Sequence, residues 1–313
     1  MRCLREEDRN MKIAAGIVLY NPDGKRFIEC IDEILKQVDK VYVFDNSEES
    51  TNIPLSDKVV YLSIKKNMGI AYALNMIMDA AKKDGFDWVI TMDQDSIIPI
   101  GLVDEYKEVI GGTKEIGIVC PQVVDKRRAY MELKTTPKEE YVDFCITSAS
   151  CTSINAWEKV GRFDEWLFID LVDNDFCKRL VVSGYKILRL NGMVLNQEFG
   201  KIVPKSKKVQ SFWISVGKLL HNDNFAKFSY RKFVSPMRVY YTCRNIIYVN
   251  KKLAEYGPVA YKENYNCSSY FGFVISFIAP SILRAQDKIA VLKAAIKGTH
   301  DGMIKKVGEW KIN

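Results

Sequence analysis

The sequence predicts an α/β protein with a mostly parallel central sheet and flanking helices, followed by a helical, basic C-terminal region. Apolar strand-like segments alternate with helix-like segments from Lys12 onward, the order expected when crossover helices join parallel strands. The chain has 313 residues, 48% of them hydrophobic, enough to fill a large core. Its formal charge changes from −7 over residues 1–200 to +14 over residues 201–313. We therefore divide the chain into an N-terminal extension (1–11), an α/β domain (12–200) and a C-terminal region (201–313).

Each element of the α/β domain has its own sequence signal. The first four strands are predicted from the apolar runs IAAGIVLY, KVYVFDNS, VVYLSI and DWVITMD, and a fifth from GIVCPQVV. Helices are predicted at Lys25 to Gln37, after Gly69, and at Leu102 to Ile110. In the second of these helices apolar residues recur at helical spacing until Gly85 ends it. A polar connection over 125–140 is expected to be a mobile loop, and a further helix and strand follow it.

Polar side chains follow three of the predicted strands. These residues are Tyr20 and Asn21, Asp45 and Asn46, and Asp93, Gln94 and Asp95. Ligands of open α/β sheets bind beyond the carboxyl ends of the strands, so this edge is the expected site. Asp45 can accept a hydrogen bond from a pyrimidine ring N–H, although Asp and Asn also favour turns after any strand.

Asp93 and Asp95 place two like charges at the end of an apolar strand. Such charges repel and are costly to remove from water. A divalent cation, Mg²⁺ or Mn²⁺, takes oxygen ligands and would join both carboxylates to a phosphate. The simpler alternative is a solvated loop or the start of a helix.

Two further segments carry chemistry. Gly69, in NMGIAYALN, opens a helix whose free N–H groups suit an anionic ligand, or it is an ordinary helix start. The segment FIDLVDNDFCKR holds Asp170, Asp173 and Asp175, and a carboxylate there can act as a general base on a sugar hydroxyl. The alternative is a charged first helical turn paired to Arg179.

Taken together and in this order, these segments resemble the inverting family 2 glycosyltransferases, which have the GT-A fold, and most of all the bacterial dTDP-rhamnosyltransferases. The resemblance covers residues 12 to about 250. It rests on IVLYNPD, VFDNS, NMGIAYALN, DWVITMDQDS, FDEWLFIDLVDNDFCKRLVVSGYKI and RVYYTCRN. It implies a Rossmann-like GT-A domain that transfers a sugar, L-rhamnose from dTDP-β-L-rhamnose, to a lipid-linked surface-polysaccharide acceptor.

The resemblance also implies a role for each matching residue. The residues expected to bind the nucleotide-sugar are Tyr20, Asn21, Asp45, Asn67, Gly69, Asp93 and Gln94. Asp173 falls at the position of the catalytic base, and Asp93 and Asp95 at the metal. The residues expected to contact the acceptor or the diphosphate are Asp175, Arg238, Tyr241 and Arg244.

One position departs from the family. Related sequences place a histidine after the last strand, whereas this chain has Gln197 in NQEFG. Glutamine offers a weaker carbonyl oxygen to the metal. Gln197 therefore keeps an inactive sugar-nucleotide-binding module as an alternative. A UDP-sugar-dependent enzyme of the same family is another, because an Asp that contacts a pyrimidine does not separate thymidine from uridine. The acid motif also resembles that of haloacid-dehalogenase-like phosphatases, but in those it lies on the first strand of the domain.

Composition limits the surroundings of the protein. Eight cysteines without CxxC pairs and only two histidines argue against a zinc site and favour reduced thiols in the cytoplasm. The opening residues lack the apolar core of a signal peptide. The basic C-terminal region is expected to lie on the inner face of the cell membrane as a peripheral surface, and no nucleic-acid motif is present. Its aromatic side chains expected to enter the interface are Phe212, Trp213, Phe225, Phe228, Tyr230 and Phe233.

Overall fold

The computed structural model describes residues 11–51, 56–111 and 115–312. The extension predicted over residues 1–11 therefore lies outside the described residues, except for Met11.

Within these ranges a central sheet contains eight strands in the order β3-β2-β1-β4-β7-β5-β8-β6. Their bounds are β1 Ile13–Leu19, β2 Val41–Asp45, β3 Val59–Ser63, β4 Trp88–Asp93, β5 Ile116–Val124, β6 Glu139–Val142, β7 Ser150–Ser153 and β8 Lys186–Asn196. Two short strands, β9 (Ile202–Pro204) and β10 (Tyr230–Lys232), pair antiparallel outside this sheet.

The sheet is mixed, with mostly parallel pairs. Strand β1 pairs parallel with β2 and β4, β2 with β3, and β5 with β8. Strand β7 runs antiparallel between β4 and β5, and β6 runs antiparallel to β8. The predicted α/β class with a mostly parallel sheet is confirmed.

The register brings three strand ends together. Leu19 of β1 lies opposite Asp45 of β2, and Val18 of β1 lies opposite Asp93 of β4. Because all three strands are parallel, the polar residues that follow them share one edge of the sheet.

The helices flank the sheet and form the C-terminal region. Their bounds are α1 Gly24–Leu35, α2 Ile70–Lys83, α3 Leu102–Ile110, α4 Ile154–Lys159, α5 Val172–Val182, α6 Lys207–Leu219, α7 Asp223–Ala226, α8 Pro236–Lys252, α9 Tyr261–Tyr265, α10 Tyr270–Phe273, α11 Ala279–Arg284 and α12 Lys288–Ile304. A π-helical turn over Val274–Ile278 joins α10 to α11.

Two hydrophobic clusters form the core. One contains side chains of α1 and α3, such as Phe27 and Tyr106. The other contains Leu74 of α2, Phe176 of α5 and Ile246 of α8. Since the second cluster includes helices from both predicted regions, the C-terminal region is packed onto the α/β domain through a shared core.

Helix α12 lies unusually close to α8. A Cβ added at Gly298 of α12 would lie 2.2 Å from the carbonyl oxygen of Tyr240 in α8. Only glycine allows the two backbones to approach in this way. The position of α8, and of every side chain it directs toward the sheet edge, therefore depends on this contact.

Candidate active site

The loop after β2 is held by Asp45. The buried carboxylate accepts hydrogen bonds from the backbone N–H groups of Ser47 (2.8 Å) and Thr51 (2.9 Å) and from the hydroxyl of Tyr61 (2.7 Å). Burial alone would raise the pKa of Asp45, but the bonds from Ser47 and Thr51 outweigh it and keep that pKa below its ordinary value. Both oxygens are therefore engaged within the protein, and in this arrangement Asp45 shapes the loop.

The start of α2 is tied to the loop before α5. Asn46 donates to the carbonyl of Gly69 (3.1 Å), and the Asn67 side chain accepts from the Gly69 N–H (3.0 Å). The N–H of Ile70 donates to the Phe168 carbonyl (2.8 Å). Gly69 has φ of 89°, and a Cβ there would lie 2.6 Å from that same carbonyl oxygen. The N–H of Ile70, one of the free donors at the start of α2, is thus already used. The segment expected to bind an anion therefore also supports the loop around Phe168.

Tyr20, Asn21 and Gln94 lie at the same sheet edge. The Tyr20 N–H donates to Gln94 Oε1 (2.8 Å), which ties the end of β1 to the turn after β4. The Tyr20 side chain is exposed. The Asn21 N–H donates to Ser47 Oγ (2.8 Å), and Asn21 adopts a positive φ of 43°. These contacts give the edge a fixed backbone and leave the Tyr20 ring open to a ligand.

The acidic residues converge beyond β4. Gln197 Nε2 donates to Asp93 Oδ2 (2.5 Å). This bond links the end of β8 to the acid pair, Asp93 and Asp95. Burial first, and then the charge of Asp95, raise the pKa of Asp93 to about 6. Burial first, and then the charge of Asp93, raise the pKa of Asp173 to about 7, against opposing hydrogen bonds from Thr147. The structure thus brings together Asp93, Asp95, Asp173 and Gln197.

The same residues include oxygen ligands for a divalent cation. In the part of the chain that the structure describes, no group of three or more His, Cys, Asp and Glu side chains is placed to hold a metal. The buried Oε1 of Gln197, however, has no hydrogen-bond partner. A carbonyl oxygen together with the carboxylates of Asp93 and Asp95 is the kind of donor set that Mg²⁺ and Mn²⁺ prefer. The residues present therefore fit such a cation, with Gln197 as the ligand that completes the pair.

The loop that leads into α5 is held in a strained shape by α8. Asp170 and Leu171 have positive φ values of 66° and 64°. Asn245 donates to the carbonyls of Ile169 and Asp170 (both 2.8 Å), and Arg238 Nε donates to the Asp170 carboxylate (2.8 Å). Non-glycine residues adopt such φ values at a cost, and only where the surroundings enforce them. Helix α8 thereby fixes the position from which α5 presents Asp173.

Arg244 and Tyr241 contact the same loop. The Arg244 guanidinium lies 3.8 Å from the Trp166 ring centroid and donates to the Trp166 carbonyl (2.8 Å). The Tyr241 ring stacks on Phe168 at 5.2 Å. Together with Arg238, the residues expected to contact diphosphate or acceptor thus hold the loop before Asp173.

Asp175 is not available to an acceptor. Its fully buried carboxylate pairs with Arg179 (2.6 Å) and Lys252 (2.8 Å). Two residues along a helix turn the side chain by about 200°, so Asp175 faces the core while Asp173 faces the sheet edge. The expected acceptor contact is corrected to a structural role, in which Asp175 joins α5 to α8. The supporting roles of Asn245 and Thr147 were missed, because amide and hydroxyl side chains carry no distinctive pattern in the sequence.

Comparisons with known proteins show similarity to glycosyltransferases. Residues 15–149 match the model of glycosyl transferase family 2. The dTDP-rhamnosyl transferase RfbF of Shigella flexneri is 26% identical over 317 aligned residues, which cover 94% of this chain and 96% of that protein. The family match contains Asp93 and Asp95 and ends before Asp173.

Solved structures are similar in fold. GalNAc-T7 with UDP, GalNAc and Mn²⁺ matches with a TM-score of 0.50 and 11% identity, covering 89% of this chain and 60% of that one. TarS of S. aureus matches with a TM-score of 0.49 and 14% identity, covering 93% of this chain and 54% of that one. This chain thus spans 60% and 54% of those two proteins. The GT-A fold expected from the sequence is confirmed.

Proposed function

We propose that this chain is a glycosyltransferase with a family 2 domain, and that it moves L-rhamnose from dTDP-β-L-rhamnose to a hydroxyl of a lipid-linked polysaccharide acceptor. The donor is supported by the similarity to a dTDP-rhamnosyl transferase over almost the whole chain. A UDP-sugar is the alternative donor, since Asp45 alone does not separate thymidine from uridine. The phosphatase alternative is dropped, because the acid pair lies inside the family 2 match.

One observation carries the mechanism: a carboxyl group with a pKa of about 7, that of Asp173, lies beside the acid pair. A base whose pKa is near the working pH is both deprotonated and basic enough to take a proton. We infer that Asp173 removes the proton of the acceptor hydroxyl as its oxygen bonds to the anomeric carbon. The bond from that carbon to the diphosphate breaks on the opposite face, and the configuration inverts.

The proposed role of the acid pair is to hold a cation next to the leaving group. Asp93, Asp95 and the Oε1 of Gln197 would hold Mg²⁺ or Mn²⁺ beside the diphosphate. When bound, such a cation neutralises charge that develops on the leaving oxygen. We propose that the dTDP moiety lies along the edge formed by Tyr20, Asn21, Gly69 and their neighbours, with its base next to the part of the loop that Asp45 holds through Ser47 and Thr51.

The domain roles follow from this arrangement. We assign nucleotide-sugar binding and catalysis to residues 12–200, and acceptor and membrane contact to residues 201–313. The second region also supports the first, since α8 holds the loop before Asp173. The two are therefore expected to unfold together.

The C-terminal region is proposed to lie on the anionic inner surface of the cell membrane. Phe271 and Leu283 are 74% and 73% exposed, on a chain segment with a formal charge of +14. Exposed apolar side chains among basic ones are typical of interfacial helices. Of the aromatic residues expected there, Phe212 and Phe233 are exposed, whereas Tyr230 is buried against Tyr130 and is corrected to a core residue.

The apolar helix is better suited to lie on a membrane than to cross it. The segment Tyr261–Arg284 is long and apolar enough to span by length and composition alone, and only 11% of its most apolar window is buried. Asn266 breaks this segment with a left-handed conformation, and α10 restarts at Tyr270. The 15 residues from Tyr270 to Arg284 extend about 22 Å at 1.5 Å per residue, short of the roughly 30 Å of a hydrocarbon core.

A donor panel tests the proposed reaction. The purified protein is incubated with Mn²⁺, a lipid-linked acceptor and one of several dTDP- or UDP-sugars, and nucleotide release is measured. We expect dTDP-rhamnose to give the fastest release. Faster release from a UDP-sugar would replace the donor, and binding of dTDP with no release from any donor would favour the inactive module.

A further inference from the structure

A cluster of cations surrounds Lys232 at the end of β10. The charged neighbours that act on its ammonium group are Arg128, Arg284, Arg238 and Asp170. Burial first, and then the three guanidinium groups, lower the pKa of Lys232 to about 8. Lys232 is nevertheless exposed to solvent.

The positive charge in this cluster exceeds its negative charge. Arg238 forms an ion pair with Asp170. Arg128 forms an ion pair with Asp125, which is also paired with Arg127. Arg284 donates only to the carbonyl of Pro280, through Nε (3.0 Å), among the contacts that the structure describes. Lys232 has no hydrogen bond or ion pair from its side chain within residues 11–51, 56–111 and 115–312. Among the described residues, Lys232 and Arg284 are therefore two cations of this cluster without a carboxylate partner.

Two of these guanidinium groups lie over aromatic rings next to β10. The Arg128 guanidinium lies 5.3 Å from the ring centroid of Tyr230, and that of Arg284 lies 5.5 Å from the ring centroid of Phe228. Tyr230 and Lys232 share one face of β10, because side chains alternate along a strand. Arg231, between them, faces the other way. Arg128 and Arg284 are thus held over aromatic rings, and Lys232 lies on the Tyr230 face of β10.

The cluster lies between the acid site and the apolar helix. Arg238 interacts electrostatically with Asp93, one of the proposed metal ligands, so the cluster lies near the acid site. Arg284 ends the helical segment from Tyr270 that exposes Phe271 and Leu283. A molecule that joins an anionic group to an apolar chain would match the cluster and the apolar helix at once.

We propose that Lys232, Arg284 and Arg128 form a subsite for the phosphate or diphosphate group of the acceptor, with its apolar chain lying along the helix that ends at Arg284. Lys232 and the terminal nitrogens of Arg284 supply the contacts, because charged N–H donors bind phosphate oxygens strongly. Arg128, whose donors bind Asp125, Tyr130 and Phe199, supplies charge. That the ligand is the acceptor rests on the proposed function. Binding of a lipid diphosphate to the subsite, however, can be measured without turnover.

Calorimetric titration with geranyl diphosphate, inorganic pyrophosphate and dTDP tests the subsite. The variants are Lys232→Gln and Arg284→Gln, with Lys232→Arg as a conservative variant and Arg231→Gln as the matched control on the opposite face of β10. We expect Lys232→Gln and Arg284→Gln to weaken geranyl diphosphate binding at least tenfold. Lys232→Arg and Arg231→Gln should stay within twofold, and dTDP binding should not change in any variant.

Three results would overturn the subsite. Geranyl diphosphate affinity within twofold of wild type in Lys232→Gln would remove Lys232 from any such site. An equal loss of dTDP affinity would assign the cluster to the donor diphosphate. Pyrophosphate that binds as tightly as geranyl diphosphate would show a site for free anions without a lipid. Lys232-dependent binding in a protein that releases no nucleotide from any donor would instead leave the subsite in place and reject the proposed function.

Discussion

Replacing Asp173 by asparagine is expected to stabilise the protein at neutral pH and to remove its activity. Burial and the neighbouring Asp93 raise the pKa of Asp173 from 3.8 to about 7, which means that the fold disfavours the charged carboxylate. Asparagine has the same shape and no charge. The variant therefore keeps the packing and loses the electrostatic cost.

The size and sign of the effect follow from the pKa. A shift from 3.8 to about 7 corresponds to roughly 4 kcal/mol at 1.36 kcal/mol per unit. Because part of the side chain contacts solvent and the amide of the variant would pair less well with Thr147, we expect about 2 kcal/mol. Below pH 3.8 the carboxyl group is neutral in both folded and unfolded states, and the cost is absent. It grows as pH rises toward 7, where the folded group also ionises, and is constant above that.

Urea unfolding at pH 5 and pH 8 measures this difference. The Asp173→Asn variant should exceed wild type in free energy of unfolding at pH 8, and by less at pH 5. Its turnover should fall at least 100-fold, as expected for loss of a general base, with dTDP affinity unchanged. Asp79→Asn, on the surface of α2, is the matched control and should change stability by less than about 1 kcal/mol. The reasoning is refuted if Asp173→Asn is no more stable than wild type at pH 8, or if the gain is the same at both pH values.

Three further predictions concern the metal, the helix pair and the membrane. Gln197→Ala should weaken Mn²⁺ binding in the presence of dTDP about tenfold by calorimetry, and an unchanged affinity would remove Gln197 from the ligand set. Gly298→Ala should lower the free energy of unfolding by about 1–3 kcal/mol in urea, because the added methyl group meets the carbonyl of Tyr240; wild-type stability would contradict the close approach of α12 and α8. Phe271→Ser should reduce sedimentation with anionic vesicles, whereas Ile100→Ser, at another exposed apolar position on the α/β domain, should not; equal losses would argue against docking through the apolar helix.

The sequence was most informative where one local rule decided the outcome. Strands β1, β2 and β4 are apolar runs closed by polar residues, and the register places their ends at one edge as expected. Strand β7 was not predicted, because Ser150–Ser153 is short and polar. Its place between β4 and β5 depends on two neighbours that are distant in the chain. The segment over 125–140, expected to be a mobile loop, includes the start of β6 and is bound to Gln122 through Lys134.

The sequence predicted which residues form the candidate site better than it predicted the contacts between them. The proximity of Asp93 and Asp95 follows from their spacing, but the bond from Gln197 spans 104 positions and requires the completed sheet. The opposite orientations of Asp173 and Asp175 required the helix phase, which the acidic cluster alone does not reveal. The clustering of Lys232 with Arg284 depends on how β10 and α11 pack, and neither residue stands out in a basic segment.

The hydrogen bond from Ile70 to the Phe168 carbonyl makes two distant parts of the chain a single mechanical unit. Gly69 leaves room for this bond, so even one methyl group at position 69 would push on the peptide just before the left-handed pair at Asp170 and Leu171. A change designed to alter how the nucleotide is held would then also displace the proton acceptor. Substitutions at this glycine are thus poor tools for separating donor affinity from rate, whereas Tyr20, whose ring is open to solvent, is a suitable one.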